Sequence, residues 1–188
     1  MLKTFTTPVI KNPGSIWIMG LSAAGKSTLA RLLTEKLRGI GHACALLDGE
    51  EVRALFDDHL GHDLEARRKQ THRILRLARW ISDQGILPVV AIIHPFEDDR
   101  LECRKTLPNY FEVYLRCDLA ECIRRDTKNV YGPALAGQAK NVVGIDIPYG
   151  TPERSDVVLD SGEMSPEELL GALWQKLQRD FFRANDWD

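Results

Sequence analysis

Lys26 and Ser27 end a glycine-containing segment whose composition and spacing suit the binding of phosphate groups. Residues 20–27 read Gly-Leu-Ser-Ala-Ala-Gly-Lys-Ser and match the P-loop pattern G-x-x-x-x-G-K-[ST]. The glycines allow the main chain to curl so that its N–H groups face a chain of phosphates. The Lys26 ammonium would contact the β- and γ-phosphates, and the Ser27 hydroxyl would ligate Mg²⁺. The motif predicts a nucleoside triphosphate site formed by Gly20, Ser22, Ala23, Ala24, Gly25, Lys26, Ser27 and Thr28.

The sequence on either side of the motif has the pattern of a strand and of a helix. An apolar run, residues 16–19, precedes the loop, and apolar residues then recur at helical spacing, at Leu29, Leu32, Leu33 and Leu37. The N-terminus of such a helix adds positive potential at the phosphates. The alternative is a glycine-containing turn that matches by chance, and the strand and helix in register argue against it.

Two acidic residues follow the second apolar run. Asp48 and Glu50 come directly after the predicted strand His42–Leu47, so both are expected to face the same cleft as the P-loop. Carboxylates beside a Mg²⁺–triphosphate hold metal-bound water or take a proton from an attacking hydroxyl. We predict both as catalytic and metal-site residues. An ordinary Asp-Gly turn with a solvated glutamate is the alternative.

Two arginines are candidates for binding anionic groups of a substrate. Arg53 lies one helical turn past Glu50 and would clamp a phosphate or sulfate, with a plain surface arginine as the alternative. The next predicted helix, Leu64–Asp83, carries six basic residues, most of which belong to a solvated face. Arg67 differs because it lies four residues before the inward-facing Thr71. An inward arginine needs an anionic partner, such as a substrate phosphate.

Further candidates lie at later strand and helix ends. His94 ends the predicted strand Leu87–Ile93, where it would donate to a substrate oxygen, act as a base, or merely bond to the backbone. Arg125 and Lys128 lead into a stretch rich in Gly, Pro and Ala, residues 127–152, that shows little periodicity. Long irregular segments are commonly lids, and a lid would bring these two cations to the transferring phosphoryl group. A flexible solvated loop is the alternative.

Strands and helices alternate along the whole chain. The remaining predicted elements are helices from Glu51 to about Phe56, from Arg100 to about Leu107 and from Leu119 to Asp126, strands at Phe111–Leu115 and Val157–Asp160, and a last helix from the Ser165 cap toward Phe182. This alternation predicts the three-layer α/β fold of P-loop NTPases, a mostly parallel sheet flanked by helices. Without a repeat, we expect one domain over residues 1–188, with the lid at about 127–152.

The composition excludes several classes of protein. The chain has 188 residues, 44% apolar, and a net charge of −2, which argues against disorder and against binding nucleic acid through bulk charge. No apolar run is long enough to span a membrane, and residues 1–5 lack the core of a signal peptide. The four cysteines show no metal-ligand spacing, which favours free thiols in a reducing cytoplasm. The oligomeric state stays open, with a homodimer among the options.

Several short segments, in order along most of the chain, resemble adenylyl-sulfate kinases. They are the P-loop through Thr28, Leu47-Asp48-Gly49, Arg53, Arg67, Arg125-Asp126-x-Lys128, Tyr131, Ala136-Gly137, Lys140-Asn141 and Gly144-Ile145-Asp146-x-Pro148-Tyr149. The resemblance runs from about Ser15 to Leu159. It implies a P-loop kinase that transfers the γ-phosphate of ATP to the ribose 3′-hydroxyl of adenosine 5′-phosphosulfate (APS), with Mg²⁺ required.

The resemblance also implies roles by position. Lys26 and Ser27 would serve ATP and Mg²⁺, Asp48 and Glu50 would contact substrate and metal, and Lys128 would belong to the lid. Arg125 would contact ATP. The acceptor-site residues would be Asp48, Arg53, His62, Arg67, Gln70, His94, Lys140, Asn141, Val142 and Ile145.

The departures from the family pattern concentrate in the acceptor pocket. The family's Asp-Gly-Asp-Asn is Asp48-Gly49-Glu50-Glu51, its Asp-Arg-x-x-Asn ends in Gln70, and its serine before Pro-Tyr-Arg is His94. Two aromatic residues that sandwich the adenine in the family correspond to His62 and Val142. Because each stacking face contributes about 1–3 kcal/mol, the changes favour a different acceptor nucleotide. Kinases of cytidine diphosphoramidate resemble adenylyl-sulfate kinases overall and are the runner-up.

Two other functional classes are alternatives to a small-molecule kinase. A regulatory GTPase would carry an Asn-Lys-x-Asp guanine signature, which this sequence lacks, and Asp-x-x-Gly where His94 stands. A nucleotide-binding regulatory protein without catalysis would account for the departures. The intact Lys26, Ser27 and Asp48 argue against that second class.

Overall fold

The structure is a computed structural model that describes residues 13–58 and 60–183. The predicted lack of a signal-peptide core concerns residues outside those ranges. No helix within the described ranges combines the length and the apolar character that crossing a bilayer requires.

Strands and helices alternate along the described chain. The strands are β1 (Ser15–Met19), β2 (Cys44–Asp48), β3 (Leu87–Ile92), β4 (Tyr110–Arg116) and β5 (Val157–Asp160). The helices are α1 (Lys26–Gly39), α2 (Gly49–Ala54), α3 (Leu64–Asp83), α4 (Glu97–Thr106), α5 (Leu119–Arg124), α6 (Tyr131–Leu135) and α7 (Pro166–Leu177). A π-helical turn, Gln178–Phe182, follows α7.

The strands in the described residues form one sheet in the order β2-β3-β1-β4-β5, and every neighbouring pair is parallel. Met19 at the end of β1 lies opposite Ile92, and Asp48 at the end of β2 lies opposite Ala91. The carboxyl ends of these strands therefore share one edge. That edge carries the P-loop and Asp48, as the alternating pattern predicted.

Two apolar clusters cover the two faces of the sheet. Along β1, Ile18 and Trp17 point to opposite faces, and both side chains are fully buried. Ile18 belongs to a cluster with residues of α1 and α7, including Leu173, whereas Trp17 belongs to a second cluster with residues of α3 and α4, including Ile74. This arrangement of helices, sheet and helices confirms the predicted three-layer α/β fold.

The ends of some elements differ from the predicted ones. Helix α4 begins at Glu97 rather than Arg100, and its first turn is acidic, which suits the positive end of a helix dipole. Helix α7 begins at the predicted Ser165 cap, where Ser165 and Glu168 form a capping box, but its α-helical part ends at Leu177.

Helix α6, which lies inside the predicted lid, was not predicted. Gly132 and Pro133 lower the helix propensity of this segment, so local pattern gave no helical signal. Tertiary contacts of Tyr131 stabilise α6 despite this low propensity. Tyr131 is fully buried, its amide donates to Asp126 Oδ2 at 2.7 Å, and its hydroxyl donates to Ser22 O at 3.1 Å.

Candidate active site

The P-loop joins β1 to α1 through two special glycines. Gly20 has a φ of 152°, and a Cβ at this position would lie 2.6 Å from Leu115 O, so only glycine lets the loop pass this close to β4. Gly25 caps α1 in the left-handed region, with a φ of 93°. The first turn of α1 contains no acidic residue. Its N–H groups and positive potential are thus available to an anion.

Two side-chain contacts define the centre of the site. Ser27 Oγ donates to Asp48 Oδ2 at 2.5 Å, and Lys26 Nζ donates to Leu21 O at 2.6 Å. Asp48 is only 6% exposed, and its other carboxylate oxygen accepts from the amide of Glu50 at 3.0 Å, which caps α2. The acidic residue at the end of β2 is therefore fixed beside the hydroxyl of the P-loop.

The charge of Lys26 depends on its surroundings. Burial lowers the pKa of the Lys26 ammonium from 10.5 to about 8. Lys128 acts in the same direction, while Cys122, Asp48 and Glu50 raise the pKa. Phosphate groups placed in the loop would stabilise the ammonium form, so binding a triphosphate would restore the full charge.

Ser27 and Asp48 are the side chains that would hold Mg²⁺. A hydroxyl and a carboxylate are hard oxygen donors of the kind that Mg²⁺ prefers, and their contact shows that both reach one point. Within the described residues, no group of three or more His, Cys, Asp or Glu side chains suits a metal. The third predicted ligand, Glu50, is exposed and pairs with Lys128.

The first part of the predicted lid contacts the site through charge and through α6. Lys128 Nζ lies 2.5 Å from Glu50 Oε2, although both side chains are more than half exposed. An exposed pair of this kind contributes at most about 1 kcal/mol. The hydrogen bond from the hydroxyl of the buried Tyr131 to Ser22 O attaches the lid to the P-loop. The predicted lid therefore contacts both the P-loop and α2.

The second part of the lid is attached to α3. Arg67 Nη2 donates to Asn141 O at 2.8 Å. The Asp146 carboxylate accepts from the amides of Asn141, at 2.5 Å, and Val142, at 2.6 Å, and so closes a tight turn. These bonds hold the pKa of Asp146 below its ordinary value. Arg67 faces inward as predicted, and its hydrogen-bond partner in this structure is a backbone carbonyl.

Positive charge concentrates at the end of the cleft away from the P-loop. Arg53 Nη1 donates to Leu60 O and Gly61 O, both at 2.7 Å. Burial lowers the pKa of Arg67, and the neighbouring Arg53 lowers it further. Burial, Arg53 and Arg67 likewise lower the pKa of His62. An anion bound beside Arg53 and Arg67 would relieve the repulsion between their charges.

Gln70 supports this end of the cleft from inside. It is 5% exposed, and its Nε2 donates to Gly49 O at 3.1 Å. Its Oε1 accepts from Arg73 Nη1 at 3.2 Å. Gln70 therefore connects α3 to the segment that follows Asp48.

A cleft of about 1200 Å³ runs between the P-loop, α2, α3 and the lid. Among the predicted residues, it brings together Ser22, Ala23, Gly25, Lys26, Ser27, Thr28, Asp48, Glu50, Arg53, His62, Arg67, Gln70, His94, Arg125, Lys128, Lys140, Asn141 and Val142. Gly20 and the fully buried Ala24 shape the loop from below. Arg125 reaches the cleft while its guanidinium bonds Glu121 and Ser161 O.

Of the predicted acceptor residues, His94 lies in the wall of the cleft with a buried ring, whereas Ile145 lies outside the cleft. The ring of His94 packs against Trp17 at 5.3 Å, and both ring nitrogens are buried and unpartnered within the described chain. Burial lowers the pKa of His94 to about 3, so the imidazole is neutral. Ile145 packs against the cluster that contains α1 and α7 and does not line the cleft.

Sequence reasoning missed other residues of the cleft wall. Phe56, Leu60 and Thr71 line the cleft, although none of them was predicted as a site residue. A signal was present for Phe56, because the helix predicted from Glu51 to about Phe56 would place it on the face of Arg53, although α2 itself ends at Ala54. Leu60 lies in an irregular segment, where spacing predicts no direction.

Comparison with known proteins agrees with this geometry. The family model described as adenylylsulphate kinase matches residues 12–160. An adenylyl-sulfate kinase of Clostridium acetobutylicum is 34% identical over 173 residues, which cover 91% of this chain and 86% of the relative. A probable bifunctional SAT/APS kinase 2 of Sorangium cellulosum is 40% identical over 163 residues, 87% of this chain. The chain covers only 28% of that longer relative.

A solved structure shows the same fold. The structure of the Mycobacterium tuberculosis APS kinase CysC in complex with AMPPNP and APS superposes with a TM-score of 0.81 at 32% identity. The match covers 87% of this chain and 96% of that one. The family model covers most of the chain, and the relatives agree with it. The chain therefore belongs to the adenylylsulphate kinase family.

Proposed function

We propose that this chain transfers the γ-phosphate of ATP to the ribose 3′-hydroxyl of APS. The observation that carries the proposal is the 2.5 Å contact of Ser27 with Asp48, which joins a P-loop to a carboxylate at one point. The same cleft ends in the cations Arg53 and Arg67. One cleft therefore combines a P-loop for a triphosphate, cations for an anionic acceptor and the Asp48 carboxylate.

The side chains divide the work of phosphoryl transfer. Lys26 and the N–H groups at the start of α1 neutralise and orient the triphosphate. Asp48 is the buried acid, so it accepts the hydrogen of the acceptor hydroxyl, whereas Glu50 is exposed and holds Lys128 of the lid. Mg²⁺, held by Ser27 and Asp48, would neutralise charge that develops on the transferred phosphoryl group.

The residues at the two positions that would bind the base favour an alternative acceptor. Val142 is an aliphatic residue that is 8% exposed, and His62 is an exposed imidazole. Together they do not form the pair of aromatic faces that, by the family resemblance, would sandwich an adenine. The same chemistry on a pyrimidine nucleotide, such as cytidine diphosphoramidate, is therefore the runner-up.

One assay separates these functions. Purified protein is given ATP, Mg²⁺ and either APS or a panel of cytidine and uridine diphosphate derivatives, and the product is identified by mass. A phosphorylated APS product is expected. Product from a cytidine derivative alone would replace APS by the runner-up, and ATP binding without any product would favour a non-catalytic nucleotide-binding protein.

The matched control for this assay uses two lysines of α1. Lys26→Ala is expected to abolish transfer, while Lys36→Ala, at an exposed position on the same helix, is expected to behave as wild type. Activity of Lys26→Ala above about one tenth of wild type would contradict the P-loop assignment, because the phosphate-binding lysine contributes several kcal/mol.

The proposal includes a cytoplasmic setting. Cys44, Cys103, Cys117 and Cys122 are free and buried, which suits a reducing compartment. Whether the chain acts as a monomer or a homodimer is measured by light scattering on the purified protein.

A further inference from the structure

Phe56 is a partly exposed aromatic residue at the cationic end of the cleft. It lies two residues past the end of α2 at Ala54, and its amide donates to Arg53 O at 3.4 Å. Phe56 and Arg53 are therefore close together, and both line the cleft. Its 39% exposure and its place in the cleft wall leave ring surface available to a bound molecule.

Arg73 fixes the ring of Phe56 from one side. The guanidinium carbon of Arg73 lies 3.9 Å from the ring centroid. Arg73 is itself held by Gln70 Oε1 and by the carboxylate of Asp58, and its side chain is 13% exposed. A cation over one face orients the ring, which is itself part of the cleft wall.

The groups around Phe56 match the two parts of a nucleotide. Arg53 and Arg67 suit the anionic part, and their mutual repulsion is relieved by an anion. Phe56 offers a planar apolar surface in the wall of the same cleft, three residues past Arg53 and hydrogen-bonded to its carbonyl. Every nucleobase has a π-face that stacks on such a ring.

We propose that Phe56, oriented by Arg73, is the stacking surface for the base of the acceptor nucleotide in this chain. The inference rests on the proposed function, because it takes the molecule at this end of the cleft to be a nucleotide. The aromatic face then comes from the turn after α2. The positions of His62 and Val142 need not supply it.

The test compares three variants by the affinity of the acceptor and of ATP. Phe56→Leu keeps an apolar side chain but has no π-face, Phe56→Trp keeps the π-face, and Leu55→Ala is a control at a neighbouring position that is 75% exposed. The Kd of the acceptor is measured by titration calorimetry with a non-hydrolysable ATP analogue bound. The acceptor is the nucleotide that the wild-type protein phosphorylates in the panel above.

Phe56→Leu is expected to raise the Kd of the acceptor by about tenfold, within a range of about fivefold to 100-fold for the loss of one stacked face. Phe56→Trp and Leu55→Ala are expected to match wild type, and all three are expected to keep the affinity for the ATP analogue. An unchanged Kd in Phe56→Leu, or an equal loss of acceptor and ATP affinity, would overturn the inference.

Failure of the proposed function gives a different result. If the wild-type protein phosphorylates a nucleotide other than APS, the APS assignment fails, and the Phe56 comparison is made on that nucleotide. If it binds ATP and phosphorylates none of the panel, both the kinase proposal and the inference about Phe56 are overturned.

Discussion

The contact of Ser27 with Asp48 shows how one residue links two parts of the reaction. Asp48 ends a buried strand. One of its carboxylate oxygens accepts from the Ser27 hydroxyl of the P-loop, and the other caps α2. Its position at the strand end was predictable from the sequence, because an apolar run stops there. Its contact with Ser27 was not predictable, because the distance between the two side chains depends on the register between β2, β3 and β1.

Asp48→Asn is expected to lower kcat by about 100-fold or more, because an amide does not accept the proton of the acceptor hydroxyl. The Kd of ATP is expected to stay within about threefold, since the amide oxygen keeps the bond from Ser27. Single-turnover kinetics and calorimetry measure the two quantities. Glu50→Gln is the matched control, and a larger loss of kcat in that variant would assign the proton transfer to Glu50.

The affinity for ATP is expected to fall with rising pH because of Lys26. Its pKa is lowered to about 8 by burial, an effect that Cys122, Asp48 and Glu50 oppose and that Lys128 reinforces. Below about pH 8 the ammonium is already charged and binding takes up no proton. Above that pH a proton must be gained, so the affinity falls by up to tenfold per pH unit.

Calorimetry in two buffers of different ionisation enthalpy measures this proton uptake. Uptake is expected to approach one proton at about pH 9 and to vanish at about pH 7. Lys26→Arg is the control, because a guanidinium stays charged throughout and gives no uptake. An equal uptake in the arginine variant would show that another group is responsible.

The direction of the His94 side chain was not predictable from the sequence. Its place after β3 followed from the pattern, but its backbone has a φ of 54°, and the ring turns inward against Trp17. Side-chain direction at a residue with left-handed backbone is set by local packing. Sequence spacing carries no record of that packing.

At the scale of elements, the lid differs most from its predicted form. The sequence indicated its limits through Gly, Pro and Ala, but it contains α6 and a tight turn closed by Asp146. Both depend on partners distant in sequence, Ser22 for Tyr131 and Arg67 for Asn141. The strands and the long helices, by contrast, follow their own hydrophobic period and were predictable.

The two lid anchors are expected to serve different substrates. Tyr131→Phe removes the bond to Ser22 O in the P-loop, so the KM of ATP is expected to rise by about threefold to tenfold. Asp146→Asn weakens the turn that carries Asn141 and Val142, so the KM of the acceptor is expected to rise by a similar factor. Steady-state kinetics with each substrate varied provides the comparison, and each variant serves as the other's control. Equal effects on both substrates would indicate that the lid acts as one rigid unit.

At the scale of the whole molecule, one sheet carries two separate apolar clusters. Leu173 of α7 and Ile74 of α3 are both fully buried, but they belong to clusters on opposite faces. The sequence predicts one domain, and a shared central sheet makes the two clusters parts of one cooperative unit. Cooperative unfolding is therefore the direct test of the predicted domain organisation.

Leu173→Ala is expected to lower the free energy of unfolding by about 2–5 kcal/mol, and Ile74→Val by about 0.5–1.5 kcal/mol. Because the two side chains lie on opposite faces and share no cluster, the double variant is expected to lose the sum, to within about 0.5 kcal/mol. Urea unfolding followed by circular dichroism and by tryptophan fluorescence gives these values, since Trp174 packs against the first cluster and Trp17 lies in the second. A single transition seen by both probes in all variants supports one domain. Two separate transitions, each shifted by only one of the substitutions, would contradict it, because the two faces would then unfold as independent units.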